Sequence, residues 1–183
     1  MNFKFHTSGN ITQEFFKRGI SNFLDAMQHV KHLPYGRNSD RKNFLLVLEE
    51  NKGTCSSKHA LLQELAIENE FLEVKLMMGL FEMNGTSYPR IQKTLEANGL
   101  NYIPEAHNYL KIKGEIYDCT SSTSHSKDFS PYLIQEIEIQ PSDVTERKIQ
   151  IHQEFLKSWC SKKGFDFEQI WKIREQCIQN LSV

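Results

Sequence analysis

The sequence predicts an α+β fold, and three observations support this prediction. Apolar residues recur at helical spacing in two stretches, 11–33 and 54–68. In the stretch 71–83 they alternate along the chain, as they do in a β-strand. Lys113-Gly114 separates two short strand patterns and is typical of a tight hairpin turn. We therefore expect a helix packed on a small antiparallel sheet, with flanking N- and C-terminal helices.

The length of the chain bears on its domain organisation. A chain of 183 residues is long enough for one domain with a complete core and short for two. We expect a single domain over residues 1–183, with its core at about 20–140 and a C-terminal helical hairpin at about 144–181.

The N-terminal third is predicted to be helical. Residues 11–33 fit one or two amphipathic helices, which Pro34-Tyr35-Gly36 would end. A short helix is expected at 44–50. Thr54 is a good N-cap, so a further helix should run from Thr54 to about Glu68. Cys55 would then lie in the first turn of that helix.

The middle of the chain is predicted to contain most of the strands. The long strand at 71–83 should end at Asn84-Gly85, and a short helix at 88–99 would form an insertion before the next strand. Strands at 107–111 and 115–120 form the predicted hairpin, and 132–139 is a further strand candidate.

Two helices are predicted to end the chain. They cover about 144–162 and 166–181, and Gly164 separates them. Asp166 and Gln169 have the spacing of a capping box at the start of the second helix. Apolar residues on both helices are spaced as facing stripes, which predicts a helical hairpin.

Composition excludes several classes of function. The net charge is −1, with 22 basic and 23 acidic residues, so no overall field attracts nucleic acid or an anionic membrane. No signal-peptide pattern and no run near the ~20 apolar residues of a membrane span is present, which predicts a soluble cytoplasmic protein. The four cysteines have no repeating spacing, so we expect reduced thiols.

Three residues are candidates for nucleophilic catalysis. Cys55 at a helix start would be favoured as a thiolate by the helix dipole and by an adjacent imidazolium. His107 would act as general base and acid, and Asp118 would orient it. With Lys113-Gly114 as a two-residue loop, His107 and Asp118 become diagonal neighbours on one face of the hairpin. A three-residue loop would send Asp118 to the other face.

The segments that carry these residues resemble the transglutaminase-like family of cysteine enzymes. The resemblance covers roughly residues 20–125 and lies in Gly53-Thr54-Cys55-Ser56-Ser57-Lys58-His59-Ala60-Leu61-Leu62, His107-Asn108-Tyr109 and Asp118-Cys119-Thr120. It implies a papain-like transglutaminase core with a Cys-His-Asp triad. It also implies a thiol hydrolase or acyltransferase that acts on an amide of a peptide or peptide-like molecule through an acyl-enzyme. No cofactor and no metal are expected.

The sequence departs from the family pattern at two positions. Tyr109 stands where the family usually has Trp, and Cys119 stands where it usually has Pro. The calcium-binding segments and additional β-sandwich domains of animal transglutaminases have no counterpart here. An oxyanion-stabilising side chain is expected upstream of Cys55, and Tyr35 is preferred over Asn38 and Asn51.

Two other functions compete with the enzyme. One is a non-catalytic binding module that uses the same fold and groove for a protein or small ligand. The other is a zinc site formed by Cys55, His59, His107 and Cys119, although the hairpin register would separate His107 from Cys119. A packed structural role is preferred for His59 and for Cys119. The sequence leaves the substrate, the acyl acceptor, the oligomeric state and the pathway open.

Overall fold

The computed structural model describes residues 2–6 and 9–181. Its α-helices are α1 (Asn10–Lys17), α2 (Phe23–His32), α3 (Leu46–Glu49), α4 (Cys55–Glu68), α5 (Gln92–Ala97), α6 (Glu146–Lys163) and α7 (Phe167–Leu181). Its strands are β1 (Val74–Asn84), β2 (Tyr102–Ile112), β3 (Glu115–Tyr117) and β4 (Leu133–Ile139), in the sheet order β3-β2-β1-β4. The predicted α+β class is therefore confirmed.

Most predicted elements are present with small shifts at their ends, but β2 begins at Tyr102, five residues before its predicted start at His107. The apolar run 11–33 forms two helices, α1 and α2, and the short helix after it is α3. The insertion before β2 is a 3₁₀ turn at Pro89–Ile91 followed by α5, which ends before Gly99 at a positive φ of 65°. Helices α6 and α7 also match their predictions, and Asp166 Oδ1 accepts the Gln169 N–H at 2.8 Å, as the predicted cap requires.

Helix α4 begins with a reciprocal cap. The Thr54 hydroxyl accepts the Ser57 N–H at 3.3 Å, and the Ser57 hydroxyl accepts the Thr54 N–H at 3.0 Å. Ser57 also donates its hydroxyl proton to Asn38 Oδ1 at 2.9 Å. Such a cap satisfies N–H groups that a helix start otherwise leaves without a partner. It fixes the first turn, which contains Cys55.

The other end of α4 is bonded to the N-terminal segment. Glu68 accepts the backbone N–H of Ile11 at 3.0 Å and both the N–H and the hydroxyl of Thr12, at 2.9 and 2.8 Å. A carboxylate at the start of α1 is also favoured by that helix dipole. The buried Asn69 accepts the His6 N–H at 3.0 Å. Both ends of α4 are thus anchored by side chains.

Strands β2 and β3 form the predicted hairpin. Leu110 pairs with Tyr117 and Ile112 with Glu115, so the loop consists of Lys113 and Gly114 alone. Both loop residues have positive φ, 51° and 87°, as a primed two-residue turn requires. The even-length loop predicted from the sequence is therefore confirmed.

Strand β3 is shorter than predicted. It ends at Tyr117, so Asp118, Cys119 and Thr120 lie beyond the strand and not within it. The physical reason is that side chains bind the backbone of these three residues in place of a strand partner. His59 accepts the Cys119 N–H at 2.7 Å, and Asp118 Oδ1 accepts the Thr120 N–H at 2.9 Å. The prediction that Asp118 is a strand residue was wrong.

The chain divides into two compact units. The first contains residues 1–78, 108–126 and 137–145, and the second contains 79–107, 127–136 and 146–183. In the first unit, α4 is bonded to the sheet, because the Gln63 amide donates to the Val74 carbonyl of β1 at 3.4 Å. The boundary between the units falls within β1, β2 and β4.

The second unit contains a buried ion pair. Arg174 on α7 donates to both carboxylate oxygens of Glu105 on β2, at 2.6 and 2.7 Å. This bidentate contact and the nearby His152 lower the pKa of Glu105 to about 2, against the effect of its burial. Because a carbonyl oxygen only accepts, His152 Nε2 donates to the Pro104 carbonyl, at 3.0 Å.

No helix within residues 2–6 and 9–181 is long and apolar enough to cross a bilayer.

The hairpin turn can be tested by changing Gly114. A Cβ at this position would meet no atom within 4 Å, so the cost of Gly114→Ala comes from the backbone conformation, φ 87°. We expect a loss of about 1 kcal/mol in the free energy of unfolding. Lys113→Gly should change stability in the opposite direction or leave it unaltered, because Lys113 also has a positive φ. Urea unfolding measures both, and an unchanged stability of Gly114→Ala would contradict the turn.

Candidate functional site

Cys55 is the first residue of the 14-residue helix α4. Its side chain is partly exposed, and its sulfur lies at the positive end of the helix dipole, which favours a thiolate. Thr54 and Ser57 form the cap around it. The predicted position of Cys55 in the first turn is therefore confirmed.

Ser56 connects this first turn to the sheet. Its hydroxyl donates to Asn108 Oδ1 on β2 at 3.0 Å, and the Asn108 amide nitrogen donates to the Met77 carbonyl on β1 at 3.0 Å. Asn108 is fully buried, so these bonds fix its amide orientation. The Cys55 sulfur is 4.0 Å from the Ser56 oxygen. The helix start therefore has a defined position on the two central strands.

His59 lies one turn beyond Cys55 and is fully buried. Its Nε2 accepts the Cys119 N–H at 2.7 Å, so Nε2 carries no proton in this arrangement. The proton is then on Nδ1, which donates to the Cys55 carbonyl at 2.7 Å. His59 thus bonds the backbone of Cys55 to the backbone of Cys119. The structural role predicted for it is confirmed.

Two lysines bind the carbonyl groups that follow strand β3. Lys58 Nζ on α4 donates to the Thr120 carbonyl at 2.7 Å and to the Leu33 carbonyl at 2.5 Å. Lys31 Nζ on α2 donates to the Asp118 carbonyl at 3.1 Å and to the Ser124 carbonyl at 2.9 Å. Helices α2 and α4 are therefore both bonded to the segment that contains Asp118.

Lys58 is fully buried, which is unusual for a lysine. Burial lowers its pKa to about 8, although the nearby Cys119, Asp118 and Cys55 oppose the shift because their charged forms favour the ammonium. At neutral pH the group is still mainly charged. A buried cation thus lies beneath the first turn of α4, close to the residues proposed for chemistry.

Asp118 is buried and follows directly after β3. Its Oδ1 accepts the Thr120 N–H and is 3.8 Å from His59 Nε2. Because Nε2 accepts the Cys119 N–H, this approach is a polar contact and not an ion pair. Cys55 and Asp118 both lie in the first unit. His59 hydrogen-bonds the Cys55 carbonyl and the N–H of Cys119, the residue after Asp118.

His107 lies on β2 within the second unit. Its ring is 4.7 Å from the ring of Phe129 and 6.3 Å from that of Phe81. Phe129 is fully buried and Phe81 is nearly so, and His107 itself is partly exposed. The three predicted catalytic residues are thus distributed over both units, with Cys55 and Asp118 in one and His107 in the other.

The other three thiols are buried and have raised pKa values. Burial raises the pKa of Cys119 to about 12 and that of Cys177 to about 11. It also raises the pKa of Cys160. Cys119 therefore has the structural role predicted for it. A thiolate is disfavoured at these three positions, which leaves Cys55 as the partly exposed thiol among the four cysteines.

The candidates for an oxyanion donor differ in their contacts. Tyr35 pairs with Gly53 through a parallel backbone bridge, so it lies near the start of α4, and the residue is 47% exposed. The Asn38 amide nitrogen donates to the Leu46 and Lys52 carbonyls at 3.2 and 3.0 Å. Asn38 is therefore engaged in the loop before α4, and Tyr35 remains the preferred candidate.

Within residues 2–6 and 9–181, no three His, Cys, Asp or Glu side chains are arranged to bind a metal ion. His59 also has both ring nitrogens engaged with backbone groups. These contacts give no support to the zinc alternative.

Comparison of the chain with protein-family models, with curated proteins and with solved structures found no match.

The sequence did not predict the roles of Lys31, Lys58, Ser56 and Asn108. Lys58 lies close in the sequence to Ala60, Leu61 and Leu62, which are all core residues. A lysine in such an apolar stretch indicates that its side chain is buried. The partner of such a lysine is a backbone carbonyl, and carbonyl positions depend on tertiary structure. The pattern therefore indicates a buried cation and does not identify what it binds.

The buried ammonium of Lys58 predicts a pH effect on stability. Its pKa is about 8 in the folded chain and about 10.5 in the unfolded chain, so between these values the unfolded chain binds more protons. The free energy of unfolding should then rise with pH across this window because of Lys58. We expect Lys58→Met to lose this rise, as measured by urea unfolding at several pH values.

Lys17→Met is the matched control for Lys58→Met. Lys17 is 68% exposed on α1, and its replacement should leave the pH dependence of unfolding as in the wild type. Cys119 and Cys177 titrate in both variants, so their opposing contribution cancels in the comparison. Equal slopes for wild type and Lys58→Met would show that Lys58 does not titrate between these pH values.

Proposed function

We propose that the protein is a thiol hydrolase or acyltransferase that acts on an amide bond through a Cys55, His107 and Asp118 triad. The observation that carries this proposal is the position of Cys55. It is a partly exposed thiol at the capped start of a long helix, while the other three thiols are buried with raised pKa values. Helix dipole and first-turn N–H groups favour a sulfur anion and an oxyanion there.

One further observation supports the assignment of Asp118. Asp118 is buried and hydrogen-bonded, so its carboxylate has a fixed orientation. The proposal requires that the His107 imidazole reach the Cys55 sulfur and the Asp118 carboxylate, as in a papain-like transglutaminase core.

The reaction would proceed in two steps. The Cys55 thiolate forms a bond to the amide carbonyl carbon, and the carbonyl oxygen becomes an oxyanion near the first turn of α4. The C–N bond then breaks, and His107 gives its proton to the leaving nitrogen. Water or an amine, deprotonated by His107, attacks the resulting thioester, and the Cys55 thiolate leaves. Asp118 stabilises the imidazolium in both steps.

The substrate proposed is a peptide or a small peptide-like amide. The net charge of −1 gives no overall attraction to a polyanion. The insertion between β1 and β2, which precedes His107 in the chain, would contribute to the substrate groove.

The nucleophile can be tested by alkylation. If Cys55 is paired with a histidinium, it should react with iodoacetamide at pH 6 at least tenfold faster than a model thiol, whose thiolate is scarce near an ordinary pKa of about 8.5. Mass spectrometry of peptides identifies the modified cysteine. His107→Ala and Asp118→Asn should both lower the rate at pH 6 and move the reactivity profile to higher pH.

Cys160→Ala is the control, because Cys160 is buried in the second unit and its loss should leave the rate at Cys55 unchanged. If Cys55 reacts with iodoacetamide no faster than the model thiol at pH 6, its assignment as the nucleophile is excluded. That result would favour the alternative, a binding module of the same fold, for which tight peptide binding without labelling is the expected behaviour.

The acyl-enzyme can be tested with amide substrates. We expect the wild type to release ammonia or an aniline from glutamine-containing or anilide peptides, or to attach a fluorescent amine to a protein rich in glutamine. Cys55→Ser should lose activity by at least about 100-fold, because a serine hydroxyl is not ionised by an adjacent histidine as a thiol is. Product formation by Cys55→Ser at the wild-type rate would refute covalent catalysis at this residue.

A further inference from the structure

The chain that follows strand β3 has an unusual set of backbone partners. Residues 118–124, here the Asp118 segment, continue from β3 but make no ladder beyond Tyr117. Buried backbone groups need hydrogen-bond partners, and a segment that leaves a sheet must find them elsewhere. Three side chains on helices provide them: Lys31, Lys58 and His59.

We propose that Lys31, Lys58 and His59 are the positioning residues of the site, and that they fix Asp118 relative to Cys55. This inference rests on the proposed function. Two of these anchor residues, Lys58 and His59, lie on the same helix as Cys55, three and four positions after it. Through these contacts, the position of α4 directly determines the position of the Asp118 segment.

His59 makes the shortest connection between the two parts of the site. One ring nitrogen donates to the carbonyl of Cys55 itself, and the other accepts the N–H of Cys119, the residue after Asp118. Both bonds are 2.7 Å long, and the ring is fully buried. A rigid imidazole between these two backbone groups fixes their separation. Its neutral Nδ1–H form is required for both bonds.

Lys58 and Lys31 fix the same segment from two helices. Lys58 binds the Thr120 carbonyl, and Lys31 binds the carbonyls of Asp118 and Ser124. Bonds from an ammonium to carbonyl oxygen are stronger than neutral ones, and burial of Lys58 reduces screening by water. The charge of Lys58 also favours the ionised forms of Cys55 and Asp118. Positioning and electrostatic stabilisation thus come from one side chain.

A structural role alone would affect stability but not the ionisation of Cys55. If Asp118 moves, it stabilises the imidazolium of His107 less well, and the thiolate–imidazolium pair becomes less favourable. Loss of an anchor residue should therefore shift the pH profile of Cys55 alkylation. Where the thiol pKa lies above 6, a rise of one unit lowers the thiolate fraction at pH 6 by up to about tenfold.

The experiment uses the full chain with His59→Phe, His59→Gln and Lys31→Met. Phenylalanine keeps the ring shape of His59 without its two bonds, and glutamine retains one donor and one acceptor. Lys31 is partly exposed, so Lys31→Met should fold even if a change at the buried His59 does not. Lys17→Met is the matched surface control. Two quantities are measured: iodoacetamide rate at Cys55 against pH, and hydrogen exchange at the amides of Cys119 and Thr120.

We expect His59→Phe and Lys31→Met to speed exchange at Cys119 or Thr120 and to lower the pH 6 alkylation rate by up to about tenfold, with the whole reactivity profile moved to higher pH. His59→Gln should recover part of both losses, and Lys17→Met should change neither. Faster exchange with an unchanged alkylation profile would overturn the positioning role while the triad stands. A slow wild-type Cys55 at pH 6 would overturn the proposed function and the positioning role together, so the two failures are distinguishable.

Discussion

The structure of the first unit depends on which groups form hydrogen bonds with the backbone that follows strand β3. A strand that stops inside a protein leaves N–H and C=O groups that water cannot reach, and each unpaired group costs on the order of 1–3 kcal/mol. Here His59 accepts a hydrogen bond from the N–H of Cys119, and Lys58 and Lys31 donate hydrogen bonds to carbonyls of the same segment. Helix α4 thereby replaces a neighbouring strand. Its position then determines where Asp118 lies.

Helix α4 can do this because its own position is fixed at both ends. Thr54 and Ser57 cap its start, and Glu68 binds the first residues of α1. Ser56 adds a bond to Asn108 on the sheet. A helix with only one anchored end could slide or tilt, and the distance between Cys55 and the Asp118 segment would vary with it. The N-terminal segment of the chain is thus linked to the site through the length of one helix.

Local patterns in the sequence predicted the elements well and the site only in part. Apolar spacing, the Thr54 cap and the Lys113-Gly114 turn are local signals, and each element they predict is present. Predicting that Asp118 was a strand residue failed because a distant helix, and not a neighbouring strand, pairs with that backbone. Such pairing depends on tertiary contacts. The role of Lys58 was missed for the same reason, since an isolated lysine in a helix gives no indication of its carbonyl partners.

In the six consecutive residues 54–59, almost every side chain binds a different partner. Thr54 and Ser57 cap the helix, Ser56 binds the sheet, Lys58 binds Thr120, and His59 binds Cys119. Few substitutions in this stretch can be compensated by a neighbour, because helical geometry directs each position to a separate surface. Divergence should therefore be slow here and fast on the exposed helix faces. In a distant relative, a motif that extends from the cysteine to the Lys-His pair would be more diagnostic than Gly-x-Cys alone.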